Sequence, residues 1–290
     1  MPHNESMASK GEVGRLESLR PNEEVRRFTW REFEKPVLVL MWLAGCYLLF
    51  VTVSYYLGFD RIGGDAHAYW LTGQSWYTPY RIAPNRPDAY LYSPAFAQII
   101  RPLTWLPWPV FATVWISAET TAFAWLLRPL GWRWVGPLVL WCAPELVIGN
   151  VLGLLAVALV VSFAHPWSWS AMVLTKPVFC VGALWFAVRG EWRRFAVAVG
   201  TTLVIVVASF AFEPHLWVVW MRFLLEHSRG STWFFPGRIL LAGVLVVVAA
   251  RTDRRWLLPF ALLMATPVLA GSPSLTILAA LPRLTAGTSH

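Results

Sequence analysis

The chain has 290 residues, of which 57% are hydrophobic and 14% are charged, and its formal net charge is +8. A soluble domain carries about 25% charged residues, so this chain has too little polar surface to cover itself in water. Its arginines lie between apolar runs, as in cytoplasmic loops, so the positive charge does not indicate a nucleic-acid partner. We therefore predict an all-α, polytopic transmembrane protein that contacts membrane lipids.

The N-terminal part predicts a cytoplasmic tail followed by one transmembrane domain. Residues 1–35 are polar, and four basic residues in the juxtamembrane amphipathic segment 26–35 place this end in the cytoplasm. Residues 36–58 carry no charge, and as a helix they would be about 34 Å long, enough to cross the hydrocarbon core. Residues 36–290 are expected to form a single domain.

Residues 59–105 form the longest internal polar region, and we predict that they are the first external loop, with interfacial helices. If residues 65–77 are helical, four side chains share one face. They are Asp65, Tyr69, Thr72 and Trp76. Asp65 could turn toward a cavity, or it could simply cap this helix, since aspartate is a good N-cap residue.

Seven further apolar runs bring the expected number of membrane segments to about eight. They lie at about 107–127, 134–164, 168–188, 193–212, 237–250, 256–270 and 274–282. If the arginine clusters between them are cytoplasmic, 134–164 crosses once, as a helix broken at Pro144 and at Gly149–Asn150. The alternative, a hairpin of two short helices, would invert everything downstream. The first topology makes 213–236 a second external loop.

Several motifs occur in order along the first 200 residues. Asp65 is followed by Pro79–Tyr80, by "YLYSP" and by a segment ending "PLTWLP"; "ELVIGNVLGLL", "VLTKPVF" and "RGEWRR" come later. Together they resemble glycosyltransferase family 87, the polyprenyl-phosphate-mannose-dependent transferases of the GT-C superfamily. Ser93 replaces the first proline of the family's Tyr-x-Tyr-Pro-Pro, and Gly149 is directly followed by Asn150. The chain is shorter than usual for this family, which predicts fewer late spans.

The resemblance implies an inverting hexosyltransferase, with mannose as the expected sugar. Its donor would be a polyprenyl-phosphate sugar and its acceptor a glycolipid or glycan, at the extracytoplasmic face of a bacterial inner membrane. Asp65 would be the general base. Chemistry agrees, because a sugar hydroxyl needs a base, whereas a lipid phosphate leaves as a stable anion and needs no general acid. One carboxylate is therefore sufficient.

The other candidate site residues are assigned by charge and by hydrogen-bonding capacity. Lys176 lies inside an apolar run, where a lysine indicates function unless it snorkels to the interface. We predict that it binds the donor phosphate with Arg81 and Arg229. The predicted substrate-binding residues are His67, Tyr69, Tyr80, Tyr92, Asn150 and His227. Interfacial packing is the competing interpretation for the arginines and tyrosines.

Glu145 is a further intramembrane acid, and its partner could be Lys176 or a backbone group at the helix break. The three cysteines lie inside apolar segments without metal-ligand spacing, so no metal and no cofactor are predicted. Two other interpretations stay open. A transporter or flippase would be expected to show two related halves, and no repeat is evident. A catalytically degenerate homologue would keep the fold without the activity.

Overall fold

The computed structural model describes residues 30–58, 62–75, 79–84, 86–227, 234–266 and 272–286. The chain divides into two compact units, residues 1–39 and residues 40–290. Only the beginning of one helix belongs to the described part of the first unit. Over the described ranges the chain forms α-helices, short 3-10 helices and loops, without a β-strand. This agrees with the predicted all-α class.

Helix α1 (Trp30–Gly58) is the first candidate membrane span. Large apolar side chains on its outer surface are exposed, as with Leu43 and Phe50, which fits a lipid-facing helix. Within the second unit its other face packs closely on a later helix, α5. A Cβ added to Gly45 would lie 2.9 Å from the Leu140 Cβ. Small residues allow this approach, as they do in membrane helix pairs.

Three helices in the described part of the chain are long and apolar enough to cross a membrane. They are Phe33–Gly58, Trp108–Leu130 and Trp192–Phe212. Shorter apolar helices cover Leu152–Ser162, Pro177–Val188, Arg255–Ala265 and Thr276–Ala286. The described part of the chain is therefore helical and has three candidate membrane spans, which indicates a membrane protein, while the predicted total of about eight crossings stays a prediction.

The first loop contains helix α2 (Gly64–Gln74) and helix α3 (Pro94–Ile100), and a 3-10 helix, Arg101–Trp105, follows α3. Helix α2 packs against that 3-10 helix at Gly73, where a Cβ would overlap the Thr104 side chain. Trp70 Nε1 also donates to the Leu106 carbonyl at 2.9 Å. The described part of this loop is thus folded and contains the expected helices, while their position at the membrane interface stays a prediction.

Helix α4 (Trp108–Leu127) leads into a segment that is broken twice. The pieces are α5 (Trp132–Trp141), α6 (Ala143–Ile148) and α7 (Leu152–Ser162). Gly149 has a φ of 69°, in the left-handed region, and it ends α6. The predicted interruptions near Pro144 and at Gly149–Asn150 are confirmed, because α6 begins beside the first and ends at the second.

The next segment is interrupted at Lys176. It consists of α8 (Trp169–Thr175), a 3-10 turn and α9 (Cys180–Val188). The remaining helices are α10 (Trp192–Phe212), α11 (Pro214–His227), α12 (Phe235–Arg251), α13 (Leu258–Ala265), α14 (Ser272–Leu275) and α15 (Leu281–Ala286). The buried core runs through α4, α7, α9, α12 and α13, and its members include Phe123, Leu155 and Phe186.

Replacing Gly149 by alanine is expected to destabilise the protein. A non-glycine residue at this φ costs roughly 1–3 kcal/mol, and the new Cβ would lie 2.6 Å from the Ala66 Cβ. Thermal unfolding in detergent should show a lower midpoint than wild type. Gly200→Ala is the matched control, because this helical glycine has nothing within 4 Å of the added Cβ. An unchanged midpoint for Gly149→Ala would contradict the described turn.

Candidate functional site

Asp65 lies in the first turn of α2, which is held directly against the break between α6 and α7. The Gly63 amide donates to the Val147 carbonyl at 2.7 Å, and Ala66 packs on Gly149. Asn150 Nδ2 donates to Asp65 Oδ2 at 2.6 Å. Gly63, not Asp65, is the N-cap residue of α2. The capping role therefore does not describe Asp65, whose carboxylate is bonded across the fold.

The environment of Asp65 favours its neutral form. Burial raises the pKa of this carboxyl above its ordinary value of 3.8. The hydrogen bond from Asn150 and the positive charge of Lys176 oppose the rise in pKa without cancelling it. A carboxylate with a raised pKa is a stronger base, which suits a group that must take a proton from a hydroxyl.

Lys176 lies at the end of α8, where the backbone is extended. Its ammonium acts electrostatically on the carboxylates of Glu145 and Asp65, and Nζ lies 5.9 Å from the centre of the Phe179 ring. Both acids therefore lie within the reach of its charge, but the Glu145 carboxylate makes no hydrogen bond of standard geometry among the described residues, so the pairing of Lys176 with Glu145 stays a prediction. The two acids on which this charge acts are 80 residues apart in sequence.

Ser93 connects the first loop to the Lys176 segment. Its hydroxyl donates to the Leu174 carbonyl at 2.5 Å, and its amide donates to the same oxygen at 3.3 Å. Ser93 is also the N-cap residue of α3 and accepts from the Phe96 amide. The serine that departs from the family's Tyr-x-Tyr-Pro-Pro pattern therefore ties Tyr92 to the turn that carries Lys176.

A cavity of about 450 Å³ opens beside Asp65. Ligand pockets in proteins measure roughly 300–1,000 Å³. The polar and aromatic side chains that line the cavity are Tyr56, Asp65, His67, Arg86, Asp88 and Trp108. Lys176 is not among the described residues that line it. Asp65 is therefore the group that both faces the cavity and interacts with the Lys176 charge.

Three of the predicted substrate-binding residues are tyrosines, and they are buried. Tyr69 Oη donates to Tyr92 Oη at 2.9 Å, and Tyr80 Oη donates to the Tyr92 carbonyl at 2.9 Å. The Tyr69 ring also contacts Trp115, whose Nε1 donates to the Gly149 carbonyl. The three rings pack together near Asp65, and Tyr69 supports the α6–α7 break through its contact with Trp115. Their contact with a substrate stays a prediction.

The other predicted residues lie in different places. Arg81 lines a second cavity of about 180 Å³, together with Asp88. His227 is exposed at the end of α11, where Nδ1 lies 2.8 Å from the Phe223 carbonyl oxygen. Arg229 and Trp76 lie outside the described residues. Over the described ranges no three His, Cys, Asp or Glu side chains are grouped to hold a metal ion.

Two residues near the site were not anticipated from the sequence. Glu119, in α4, is fully buried, and its carboxylate faces the amides of Gly153 and Leu154 at the start of α7. An acid inside an apolar run is itself a functional signal. Asp88 carried no such signal, because it lies in a polar loop. Its role depends on a contact with His67, 21 residues away, which sequence spacing does not reveal.

No family model, curated protein or solved structure matches the chain. The resemblance to glycosyltransferase family 87 therefore depends on the motifs themselves. The structure adds that two of these motifs are in contact, since Asn150 donates to the Asp65 carboxylate, and that the charge of Lys176 acts on the same carboxylate.

Asp65→Asn is expected to stabilise the protein at neutral pH. Because the folded pKa is raised, the folded state holds the Asp65 proton more tightly than the unfolded chain does, so stability falls as pH rises from 3.8 through the folded pKa. The asparagine side chain does not ionise, so it removes this loss of stability, and its oxygen can still accept the hydrogen bond from Asn150. We expect a midpoint a few degrees higher at neutral pH, since about 1 kcal/mol corresponds to roughly 2–4 °C. The gain should vanish near pH 3.8, and an equal gain at both pH values would contradict it.

Proposed function

We propose that the protein is an integral-membrane hexosyltransferase, which moves a hexose, with mannose as the expected sugar, from a polyprenyl-phosphate donor to an acceptor hydroxyl. The observation that carries the proposal is the position of Asp65. Its carboxylate is fixed by Asn150, borders a polar cavity and interacts with the charge of Lys176. A base, an acceptor space and a cation for the leaving phosphate are the parts that this reaction needs.

The reaction would proceed as one displacement. Asp65 takes the proton of the acceptor hydroxyl while the oxygen attacks the anomeric carbon. The bond from that carbon to the phosphate oxygen breaks, and the polyprenyl phosphate leaves with the bonding electrons. The configuration at the anomeric carbon is inverted. Asp65 afterwards gives the proton to water in the cavity. Asp65 and other polar side chains line this cavity.

Lys176 would stabilise the charge that develops on the leaving phosphate. An ammonium fixed near the breaking bond favours the transition state more than the ground state, because the phosphate charge grows as the bond breaks. The predicted phosphate contacts of Arg81 and Arg229 belong to the same proposal. The site would face the extracytoplasmic side of the bacterial inner membrane, with the N-terminus in the cytoplasm, as the distribution of arginines predicts.

A comparison of donor classes tests this function. The purified chain is reconstituted in liposomes with labelled polyprenyl-phosphate hexoses or with labelled nucleotide sugars, and with a mixture of methyl hexopyranosides and glycolipids as acceptors. We expect label transfer from the lipid-phosphate donor only, with release of polyprenyl phosphate. Transfer from nucleotide sugars would contradict the proposal, and so would the absence of transfer from every donor. Liposomes without protein are the control.

A transporter or flippase is the second candidate, and a different observation favours it. Glu119 and Glu145 are buried at the helix breaks, and within the described residues their carboxylates make no hydrogen bond of standard geometry. Buried acids beside broken helices are typical of transport pathways. A transporter would move a labelled lipid-linked sugar between leaflets without releasing polyprenyl phosphate, so the same reconstitution separates the two functions.

A further inference from the structure

Beside Asp65, the cavity contains a histidine and an aspartate that form a pair. His67 Nδ1 lies 2.7 Å from Asp88 Oδ1, and each side chain is about one-third exposed. Both residues line the 450 Å³ cavity. The mechanism proposed above does not use this pair. The geometry resembles the oriented histidines of polar sites, in which a carboxylate fixes one ring nitrogen and leaves the other for a ligand.

The imidazole is held by aromatic contacts as well as by Asp88. It stacks on Trp70, with ring centres 5.6 Å apart, and meets the edge of Trp108 at 4.8 Å. Trp70 is in turn fixed by its hydrogen bond to the Leu106 carbonyl. Two tryptophans and one carboxylate therefore hold the ring at the cavity wall.

The hydrogen-bond partner determines what His67 can do. In the neutral imidazole, Nδ1–H donates to the Asp88 carboxylate, so Nε2 is left as an acceptor. Asp88 holds this position with a φ of 61°, a conformation that is uncommon for residues other than glycine. Nε2 can thus accept a hydrogen bond from a ligand hydroxyl, in the same cavity where Asp65 presents its carboxylate.

Asp65 and His67 together offer two hydroxyl-binding groups to one ligand. They are two residues apart on α2, so their side chains leave the helix in different directions, yet both reach the cavity wall. Arg86 also lines the cavity. An alcohol with a lone hydroxyl could satisfy only one of these groups, whereas a sugar ring could satisfy several.

We propose that the His67–Asp88 pair is a hydroxyl-binding subsite that selects a polyhydroxylated ring, a glycan or the sugar head of a glycolipid, as the acceptor over a simple alcohol. His67 accepts a hydrogen bond from one hydroxyl of that ring while another hydroxyl lies at Asp65. Asp88 is a positioning residue that acts through His67. The identity of this ligand as the acceptor rests on the proposed function, but its binding does not require a donor.

Equilibrium binding without donor tests the subsite. Full-length protein in nanodiscs is titrated with methyl hexopyranosides and with 1-butanol, and saturation-transfer NMR gives each Kd. His67→Phe keeps a ring between Trp70 and Trp108 and removes both nitrogens. It should weaken sugar binding roughly 3- to 10-fold, the range for one lost hydrogen bond. Asp88→Asn keeps a residue type that tolerates positive φ and should also weaken binding.

A matched variant gives the control. His165→Phe changes an exposed histidine that contacts a tryptophan elsewhere and should leave the Kd unchanged. Absence of sugar binding by wild type, equal binding of 1-butanol, or wild-type affinity in folded His67→Phe would overturn the inference. Binding that depends on His67, without transfer from any donor, would support the subsite while contradicting the transferase function.

Discussion

Asp65→Asn is expected to reduce kcat for hexose transfer by roughly 10²- to 10⁴-fold, the usual contribution of a positioned general base. The amide is isosteric, can accept the Asn150 hydrogen bond and cannot take the hydroxyl proton. Because the acceptor still fits the cavity, KM for the acceptor should change little. The measurement is initial rates in proteoliposomes over a range of acceptor concentrations.

A pH profile adds a second readout for the same residue. Burial raises the pKa of Asp65, so wild-type activity should fall on the acidic side at a pH above 3.8. Asp253→Asn is the matched control, since Asp253 is exposed and pairs with Arg189 far along the chain. Loss of activity in Asp253→Asn, or its retention in Asp65→Asn, would remove the assignment of the base.

Lys176→Met is expected to lower kcat by roughly 10²- to 10³-fold, the effect of removing one group that stabilises transition-state charge. It should also destabilise the fold, because Glu145 would lose the positive charge that acts on it. Glu145 is buried, and a buried acid that loses an opposing charge destabilises the folded state. Activity and thermal unfolding are measured on the same preparations.

The double variant Lys176→Met with Glu145→Gln separates these two effects. The neutral amide removes the unpaired acid, so stability should recover most of the loss. Activity should remain as low as in Lys176→Met if the lysine binds the donor phosphate. Recovery of both stability and activity would mean that Lys176 only balances the charge of Glu145, and it would end the phosphate assignment.

The sequence predicts those parts of the fold that depend on local physics. The uncharged run at 36–58 is a helix long enough to cross a membrane, and Gly149 breaks the later segment because it supplies a positive φ. Length alone was less informative for the other apolar runs. Two of them are divided by turns into short helices. The length of an apolar run therefore does not show how many times it crosses the membrane.

The site is predictable where the residue type is unusual for its surroundings. Asp65 and Lys176 are charged groups beside or within apolar sequence, and they interact across 111 positions of chain. Tyr69 and Tyr92 lacked such a signal, because rings in a membrane protein serve packing as readily as ligand contact. Their burial and mutual hydrogen bond depend on tertiary structure, as does the pairing of His67 with Asp88.

Asp65→Asn is expected to raise the stability of the protein and to lower its activity. The same burial that raises its pKa makes the ionised carboxylate costly in the folded state, and Asn would relieve that cost while removing the base. If Asp65 were purely structural and needed only for its hydrogen bond to Asn150, its substitution would lower the stability of the protein. The combination of a more stable and less active variant therefore distinguishes a functional acid from a structural one.

The configuration of the new glycosidic bond is the most direct test of a single displacement at Asp65. Wild-type protein in liposomes is given a labelled polyprenyl-phosphate hexose of known anomeric configuration and a methyl hexopyranoside, and NMR of the product gives its anomeric configuration. Inversion, with one polyprenyl phosphate released for each sugar transferred, is the expected result. Retained configuration, or no product with any lipid-phosphate donor, would contradict it.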